Sequence, residues 1–418
     1  MKKEYAISIY LDTRRAKAKG KYPVKLRVYT STPRKQKMYP TKFDFTEKEF
    51  DSIWNTTKPR TEYKETRKKI QAVEAKACKV ADKLTPFTFE KFERQLYRKD
   101  GDGINVKYHF EQAISELMKR NQLGTASTYE LSQKSIIKFL KETSSQQYSK
   151  LTLFDITPEW LKDYEFFMTE TKGKSLTTVS MYLRSLRALY NKAIDFGEIE
   201  KEYYPFGKRN YQVPATKNVK KSLSKEQLKI LYNSKPKMAE QQKAKDFWFL
   251  SYACNGMNIK DIALLRFKDI QDGKIEFYRA KTRITAKANL KPITVHLNGF
   301  IEEVMGRYGS VDKSSEALVF DIIQDGLSPQ KEQAKIKNFT RFINQHIKNL
   351  CKDNKLPEEV STYWARHSFA TNAVRKGASM EFIQESLGHG DLKTTQNYFA
   401  GFDSETKKEF ADTIMDFD

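Results

Sequence analysis

Hydrophobic and polar residues alternate along the first forty-five positions of the chain. Residues 5–11 (YAISIYL) and 22–30 (YPVKLRVYT) place apolar side chains at every second position. A period of two residues is typical of a strand with one buried face. A third alternating segment covers residues 38–43. We therefore predict that residues 1–60 form a small β-rich domain.

Beyond residue 60 the apolar residues take the spacing of α-helices. Residues 61–102 are rich in Lys and Glu between apolar positions three or four apart, which predicts a charged helix connecting two domains. Residues 103–200 repeat the helical pattern several times and include Thr157-Pro158, a typical N-cap and first helical position. This segment is predicted to be an all-α domain.

A break in periodicity precedes the last domain. Residues 201–221 contain two prolines and six Lys or Arg without a repeating pattern, which indicates a basic linker. Helical spacing resumes over 222–418, with short alternating segments at 274–278 and 293–297. The predicted fold class is multidomain α+β: a β-rich N-terminal domain, an all-α domain, and a mainly α domain with a small antiparallel sheet.

Charge narrows the set of partners. The chain has 76 Lys or Arg against 53 Asp or Glu, a formal net charge of +23, which favours a polyanionic partner. No terminal segment has the pattern of a membrane-surface helix, and the most apolar run, residues 247–254, is too short to span a bilayer. Without a signal-peptide cleavage site, and with three scattered cysteines, the chain is expected to be cytoplasmic, with neither disulfides nor zinc.

One stretch, residues 361–399, concentrates the residue types of phosphodiester chemistry. Arg366 can hold anionic oxygens in a bidentate fashion, His389 supplies a hydrogen-bonding ring, and Tyr398 offers a hydroxyl nucleophile. A covalent tyrosine intermediate divides one difficult displacement into two easier ones. Singly, each residue fits a structural role, since the chain has 22 tyrosines. The hypothesis depends on the three together.

The order of these residues resembles the signature of the tyrosine recombinase (phage integrase) family. That signature is H-x-x-R-H-[ST]-[FW]-A-T, then L-G-H, then Y; here Arg366-His367-Ser-Phe-Ala-Thr is followed by Leu387-Gly-His389 and Tyr398. The segment 254–270 (CNGMNIKDIALLRFKDI) is similar to the family's T-G-L-R-I-S-E-L-L-x-L-[RK]-W-x-D-I. Residues 222–418 would be the catalytic domain.

The resemblance implies a site-specific DNA recombinase acting through a 3′-phosphotyrosyl intermediate. Tyr398 would attack the scissile phosphate while Arg366 and His389 hold its nonbridging oxygens. Lys281 matches the family's hairpin lysine and would protonate the departing 5′-oxygen. No cofactor or metal is implied, because the phosphotyrosine stores the bond energy and the sequence has neither a P-loop nor a carboxylate cluster.

Two positions depart from the family pattern. Asn258 stands where the first arginine belongs, and Tyr363 replaces the histidine three residues before Arg366. Asparagine brings no charge, and tyrosine is a poor base near neutrality. We expect Tyr363 to assist by hydrogen bonding. We expect Arg279 to replace the missing cation, because on a strand it would share a face with Lys281.

The remaining domains imply DNA partners. Residues 1–40 have twelve Lys or Arg against two Asp or Glu, a net charge of +10. Their sheet is either a solvated basic face or a DNA-reading surface, as in the arm-type domains of mobile-element integrases, which it resembles. Residues 103–200 resemble the SAM-like core-binding domain. The family implies double-stranded DNA sites, a homotetramer on DNA, and accessory proteins that set directionality or bend DNA.

Three alternatives stay open at the level of sequence. A DNA invertase of the same family would carry the same motifs. A type IB topoisomerase would use the same chemistry but should lack an arm domain. A catalytically impaired DNA-binding regulator would explain Asn258 and Tyr363, though not the presence of Tyr398, His389 and Lys281 together.

Overall fold

The computed structural model describes residues 4–97, 101–215, 221–281, 291–399, 401–402 and 404–413. The chain forms two units, residues 1–216 and 217–418. The predicted multidomain α+β class is confirmed, because the first unit holds a three-stranded antiparallel sheet and a helical domain, and the second is mainly helical with another three-stranded sheet. Within the described ranges, no helix is long and apolar enough to cross a membrane.

The N-terminal sheet follows from the alternation of apolar residues. Its strands, antiparallel in chain order, are β1 (Tyr5–Leu11), β2 (Tyr22–Ser31) and β3 (Arg34–Phe45). Val24, Leu26 and Val28 are buried because they share one face of β2. β3 is longer than the predicted 38–43, since its outer residues are charged or polar and pair with β2 through backbone groups.

Three helices share a hydrophobic core with this sheet: α1 (Glu47–Phe50), α2 (Lys64–Asp82) and α3 (Phe89–Leu96). Ile70 and Ala77 of α2 and Phe92 of α3 are fully buried in that core. The prediction that residues 61–102 form a connecting helix is therefore wrong. Periodicity identified the apolar face of α2, but it could not show that the sheet covers this face.

The all-α domain predicted at 103–200 contains α4 (Val106–Lys119), α5 (Leu123–Thr143), α6 (Pro158–Phe166) and α7 (Leu176–Asp195). Thr157 caps α6 as predicted, accepting a hydrogen bond from the Trp160 amide. The core extends beyond this range, because Phe206 and Tyr211 are buried in it. The linker predicted at 201–221 is thus wrong for its first half, where two aromatic side chains pack without a helical period.

The second unit is built around one buried helix. Its helices are α8 (Lys225–Asn233), α9 (Ala239–Ala253), α10 (Ile259–Leu264), α11 (Gly299–Tyr308), α12 (Pro329–Asp353), α13 (Thr362–Arg375), α14 (Met380–Leu387), α15 (Leu392–Gln396) and α16 (Ser404–Thr413). The strands are β4 (Ile270–Gln271), β5 (Lys274–Phe277) and β6 (Ile293–His296), antiparallel in that order. Helices α11, α12 and α13 pack around α9, where residues 244–251 are all buried. This packing fixes α13, which carries much of the site described next.

Candidate active site

Helix α13 presents three side chains of the site on one face. Tyr363, Arg366 and His367 are spaced i, i+3 and i+4, which makes them neighbours on a helix surface. The start of the helix is fixed because the indole of Trp248 in α9 donates a hydrogen bond to the Ser361 carbonyl at 2.9 Å. The orientation of this face therefore depends on the core of the second unit.

Arg366 is the buried centre of the site, with 3% of its surface exposed. Its Nη1 donates to the Gly256 carbonyl at 2.9 Å and its Nη2 to the Leu387 carbonyl at 2.5 Å. Its Nε has no hydrogen-bond partner in the described part of the chain. Burial, followed by the nearby charge of Arg279, lowers the pKa of Arg366 to about 10, so the guanidinium stays protonated at neutral pH.

Gly256 allows the backbone to approach this arginine closely. Its φ is +71°, and a Cβ there would lie 2.8 Å from the Cα and from the Cγ of Arg366. Only glycine adopts this conformation at low cost and leaves the required space. The turn before α10 is thereby pressed against α13.

His389 follows the end of α14, where Gly388 adopts the left-handed conformation. Its Nε2 lies 3.2 Å from Nη2 of Arg366 and its Nδ1 lies 3.0 Å from the Thr395 hydroxyl. Because a guanidinium only donates, Nε2 must accept and Nδ1 carries the proton. Burial, then the charges of Arg366 and Arg279, lower the pKa of His389 to about 3, so the ring is neutral.

Tyr398 is held between aromatic rings. Its ring stacks on His367 with centroids 4.5 Å apart and lies 4.8 Å from His389. The Cζ atom of Arg366 is 5.5 Å from the ring centre. Its hydroxyl lies 2.8 Å from the hydroxyl of Tyr363. The backbone carbonyl of Tyr398 also accepts a hydrogen bond from the Thr371 hydroxyl at 3.2 Å.

Arg279, which follows β5, contacts the same end of α14 as Arg366 does. Its Nη1 donates to the carbonyls of Leu387 and Gly388 at 3.2 and 3.4 Å. The reason given from the sequence is wrong, because β5 ends at Phe277 and strand geometry does not continue to Arg279. The segment is positioned instead by the buried Asp261, whose Oδ1 accepts a hydrogen bond from the Ala280 amide at 2.9 Å.

The other two residues expected at the site lie around this segment. Lys281 is exposed, and its charge contributes to lowering the pKa of His389. Asn258 precedes α10 and lies near Asp261, where it helps to oppose the rise in the pKa of that carboxyl caused by burial. The predicted residues therefore occupy one region, with Asn258 supporting Asp261.

His367 is a site residue whose part the sequence analysis missed. Its ring stacks on Tyr398, and its Nδ1 lies 3.3 Å from the Tyr398 carbonyl. Burial lowers its pKa, which favours the neutral ring. The signal was present, because His367 directly follows Arg366 in the R-H-[ST]-[FW]-A-T part of the family signature.

The order of domains and this cluster of tyrosine, arginine and histidine define a class of enzyme that breaks and rejoins DNA strands. Three family models match the chain in succession: an arm DNA-binding domain at residues 9–92, a phage integrase SAM-like domain at 105–213, and the phage integrase family at 221–405. The chain belongs to the phage integrase family, and it is a tyrosine-type site-specific DNA recombinase.

Curated relatives include two Listeria proteins. Tyrosine recombinase XerD of Listeria innocua is 23% identical over 244 residues, which are 54% of this chain and 72% of that protein. Tyrosine recombinase XerC of Listeria monocytogenes is 25% identical over 313 residues, covering 71% and 93%.

Solved structures share the fold. The Tn1549 transposon integrase in complex with circular intermediate DNA gives a TM-score of 0.52 at 16% identity, over 74% of this chain and 99% of that one. The XerH recombinase bound to its palindromic difH substrate gives 0.50 at 19% identity, over 78% and 88%.

Proposed function

We propose that the protein cleaves DNA by forming a covalent 3′-phosphotyrosyl link to Tyr398. One observation carries the proposal: Tyr398 packs directly against the buried guanidinium of Arg366 and the neutral ring of His389. The Nε of Arg366, which has no hydrogen-bond partner among the described residues, and the donors around it fit a phosphodiester better than a neutral ligand. Donors fixed in a buried site stabilise the charge that develops on phosphate oxygens in the transition state.

In the cleavage step the Tyr398 oxygen bonds to phosphorus and the bond to the 5′-oxygen breaks. Lys281 supplies the proton that the departing oxygen requires. The phosphotyrosine conserves the energy of the broken bond, so that a free 5′-hydroxyl can reverse the reaction and rejoin the strands. Arg366 holds the nonbridging oxygens in both directions, and His389 joins it when a phosphate replaces the Arg366 contact and the ring proton moves to Nε2.

Arg279 is proposed to supply the cation that Asn258 does not. Its guanidinium and that of Arg366 both donate to the Leu387 carbonyl, which brings two positive charges to one edge of the site. Asn258 instead supports Asp261, and Asp261 holds the backbone next to Arg279. In this protein the second cation of the site would therefore come from the segment after β5, where Arg279 lies, and not from the start of α10, where the family has its first arginine.

We further propose that the substrate is specific double-stranded DNA and that recombination integrates or excises a mobile element. The arm-type domain supports this, because Lys25 and Arg27 of β2 point away from the buried face formed by Val24, Leu26 and Val28. Phosphate contacts of this kind would add affinity at a second class of site. A homotetramer on DNA, with accessory proteins that set directionality, is part of the same proposal.

A nicked suicide substrate tests the chemistry. Cleavage releases a short fragment, so ligation cannot follow and the protein stays bound to DNA after denaturation. The parent protein should form this adduct, and Tyr398→Phe should form none while keeping its DNA affinity, because only one oxygen is lost. Tyr278→Phe, the same change at an exposed tyrosine of the same domain, is the control. A normal adduct from Tyr398→Phe would refute the assignment of the nucleophile.

A further inference from the structure

The hydroxyl groups of two tyrosines meet in the site. The oxygen of Tyr363 lies 2.8 Å from that of Tyr398, a hydrogen bond of ordinary length. Tyr363 is 44% exposed, and its ring packs edge-on against His367 with centroids 4.7 Å apart. Tyr363 therefore contacts the nucleophile and is also partly open to solvent.

The proton of the attacking phenol must go to some acceptor. An ordinary phenol has a pKa of about 10, so only about one in a thousand is ionised at pH 7. The charged and titratable groups around the Tyr398 hydroxyl come from α13, from the segment after β5 and from the segment after α14: Tyr363, Arg366, His367, Arg279, Lys281 and His389. The cations among them have no lone pair to offer.

Neither histidine is placed to take this proton. The Nε2 lone pair of His389 accepts from Arg366, and its Nδ1 faces the Thr395 hydroxyl. The Nδ1 of His367 faces the backbone carbonyl of Tyr398, so the lone pair of this ring is on Nε2, which makes no hydrogen bond to the Tyr398 hydroxyl in the part of the chain that the structure describes. Within the described residues, the Tyr398 hydroxyl shares a hydrogen bond with the Tyr363 hydroxyl, in which either oxygen can be the donor, so Tyr363 can accept the proton once its own hydroxyl hydrogen turns to solvent.

We propose that Tyr363 is a catalytic residue that relays the proton of Tyr398 to solvent. As the bond from the Tyr398 oxygen to phosphorus forms, its proton passes to the Tyr363 oxygen, and the proton that Tyr363 carried passes to water. In rejoining, the steps run backwards, and Tyr363 returns a proton to the departing Tyr398 oxygen. This inference rests on the proposed function and deepens it, because it assigns Tyr363 to the nucleophile.

Tyr363 is better suited to pass a proton on than to act as a general base that is already deprotonated. Burial and the hydrogen bond to Tyr398 raise the pKa of Tyr363, so it stays protonated between turnovers. A protonated hydroxyl can accept one proton only while it gives up another. The exposure of Tyr363 provides the route by which the second proton leaves.

The test measures single-turnover adduct formation with the suicide substrate across a range of pH. Tyr363→Phe should cleave about 100-fold more slowly than the parent at neutral pH, the lower end of the range for proton-transfer catalysis. Its rate should rise more steeply with pH, because hydroxide must then remove the proton. DNA affinity should not change, and Tyr278→Phe should match the parent.

Two further variants separate proton transfer from packing. Fluorotyrosine at position 398, a more acidic phenol, should restore part of the cleavage rate lost in Tyr363→Phe. It should not restore the rate lost in Lys281→Ala, because that variant lacks the proton donor for the departing 5′-oxygen. Tyr363→His should keep more activity than Tyr363→Phe, because a neutral imidazole accepts a proton.

Each contrary result has a distinct meaning. A rate within threefold of the parent for Tyr363→Phe would overturn the relay. So would a loss that is equal at every pH and is unaffected by the fluorinated nucleophile, since that pattern indicates packing. A parent protein that forms no adduct would overturn the proposed function together with this inference.

Discussion

At the scale of single residues, the site brings two cations, Arg366 and Arg279, to the same backbone carbonyl. Arg366 and Arg279 both donate to carbonyls at the end of α14, and helix C-termini favour positive charge. The charge of Arg279 nevertheless contributes to lowering the pKa of Arg366. A phosphate bound between the two guanidinium groups would neutralise this repulsion. The pair of cations therefore favours the binding of a DNA phosphate.

Arg279→Ala should abolish cleavage and leave DNA affinity unchanged. Losing one donor to a developing charge typically costs about 2.7–4 kcal/mol, or about 10²–10³ in rate. Single-turnover adduct formation measures the first effect and equilibrium binding the second. The control is Arg266→Ala, since that guanidinium pairs with Asp325 at 2.6 Å, away from these carbonyls. A rate within threefold of the parent would refute the replacement of the missing arginine by Arg279.

At the scale of elements, a buried carboxylate joins α10 to the segment that follows β5. Asp261 is 7% exposed and accepts the Ala280 amide hydrogen bond. Arg279 and Lys281 flank that amide on either side. One hydrogen bond therefore positions two residues proposed for catalysis.

Asp261→Ala should lower both stability and cleavage. The lost hydrogen bond to a charged group should cost about 1.5–3 kcal/mol, and Arg279 and Lys281 would lose their anchor. Asp261→Asn keeps an acceptor oxygen of the same shape and should retain most of the cleavage rate. Thermal unfolding and adduct formation, measured on both variants, decide the point. Equal loss of cleavage in the two variants would show that the charge, rather than the hydrogen bond, is required.

At the scale of the whole molecule, a buried ion pair fastens the β-rich domain to the helical domain within the first unit. Arg94 of α3 donates from Nε to Glu198 at 3.0 Å, with 10% and 0% of the two side chains exposed. Its guanidinium lies 4.4 Å from the ring of Phe196, and Gln95 donates to the Phe196 carbonyl at 2.9 Å. The two domains of this unit are coupled through the end of α7.

Glu198→Ala should destabilise the first unit by about 3–5 kcal/mol, because it removes the buried carboxylate at 3.0 Å from the Arg94 guanidinium and leaves that cation only the more distant Glu116 at 4.0 Å. The double variant Arg94→Met, Glu198→Met should recover much of that loss, since neither charge is then buried. Glu111→Ala breaks an exposed pair with Lys107 and should cost at most about 1 kcal/mol. Urea unfolding gives the three values. A cost for Glu198→Ala as small as that of Glu111→Ala would mean that the domains are not coupled here.

The sequence by itself determined many of the elements and supplied most of the residues that we propose for the site. Alternation set the faces of β1 and β2, the Thr157-Pro158 pair set the start of α6, and the spacing of Arg366, His389 and Tyr398 singled out the chemistry. These features depend on local backbone geometry and on residues that carry their function in any fold. Periodicity also marked the apolar face of α2.

Only the tertiary structure decided which surfaces cover one another. It placed α2 against the sheet, packed Phe206 and Tyr211 into the helical domain, and ended β5 before Arg279. It also brought the hydroxyls of Tyr363 and Tyr398, thirty-five residues apart, to within a hydrogen bond. Periodicity in the sequence indicates which face of a helix or strand is apolar, and a motif indicates which residue types are present. The distance between two side chains on different elements depends instead on how α9 and its neighbours pack, and no local pattern encodes that.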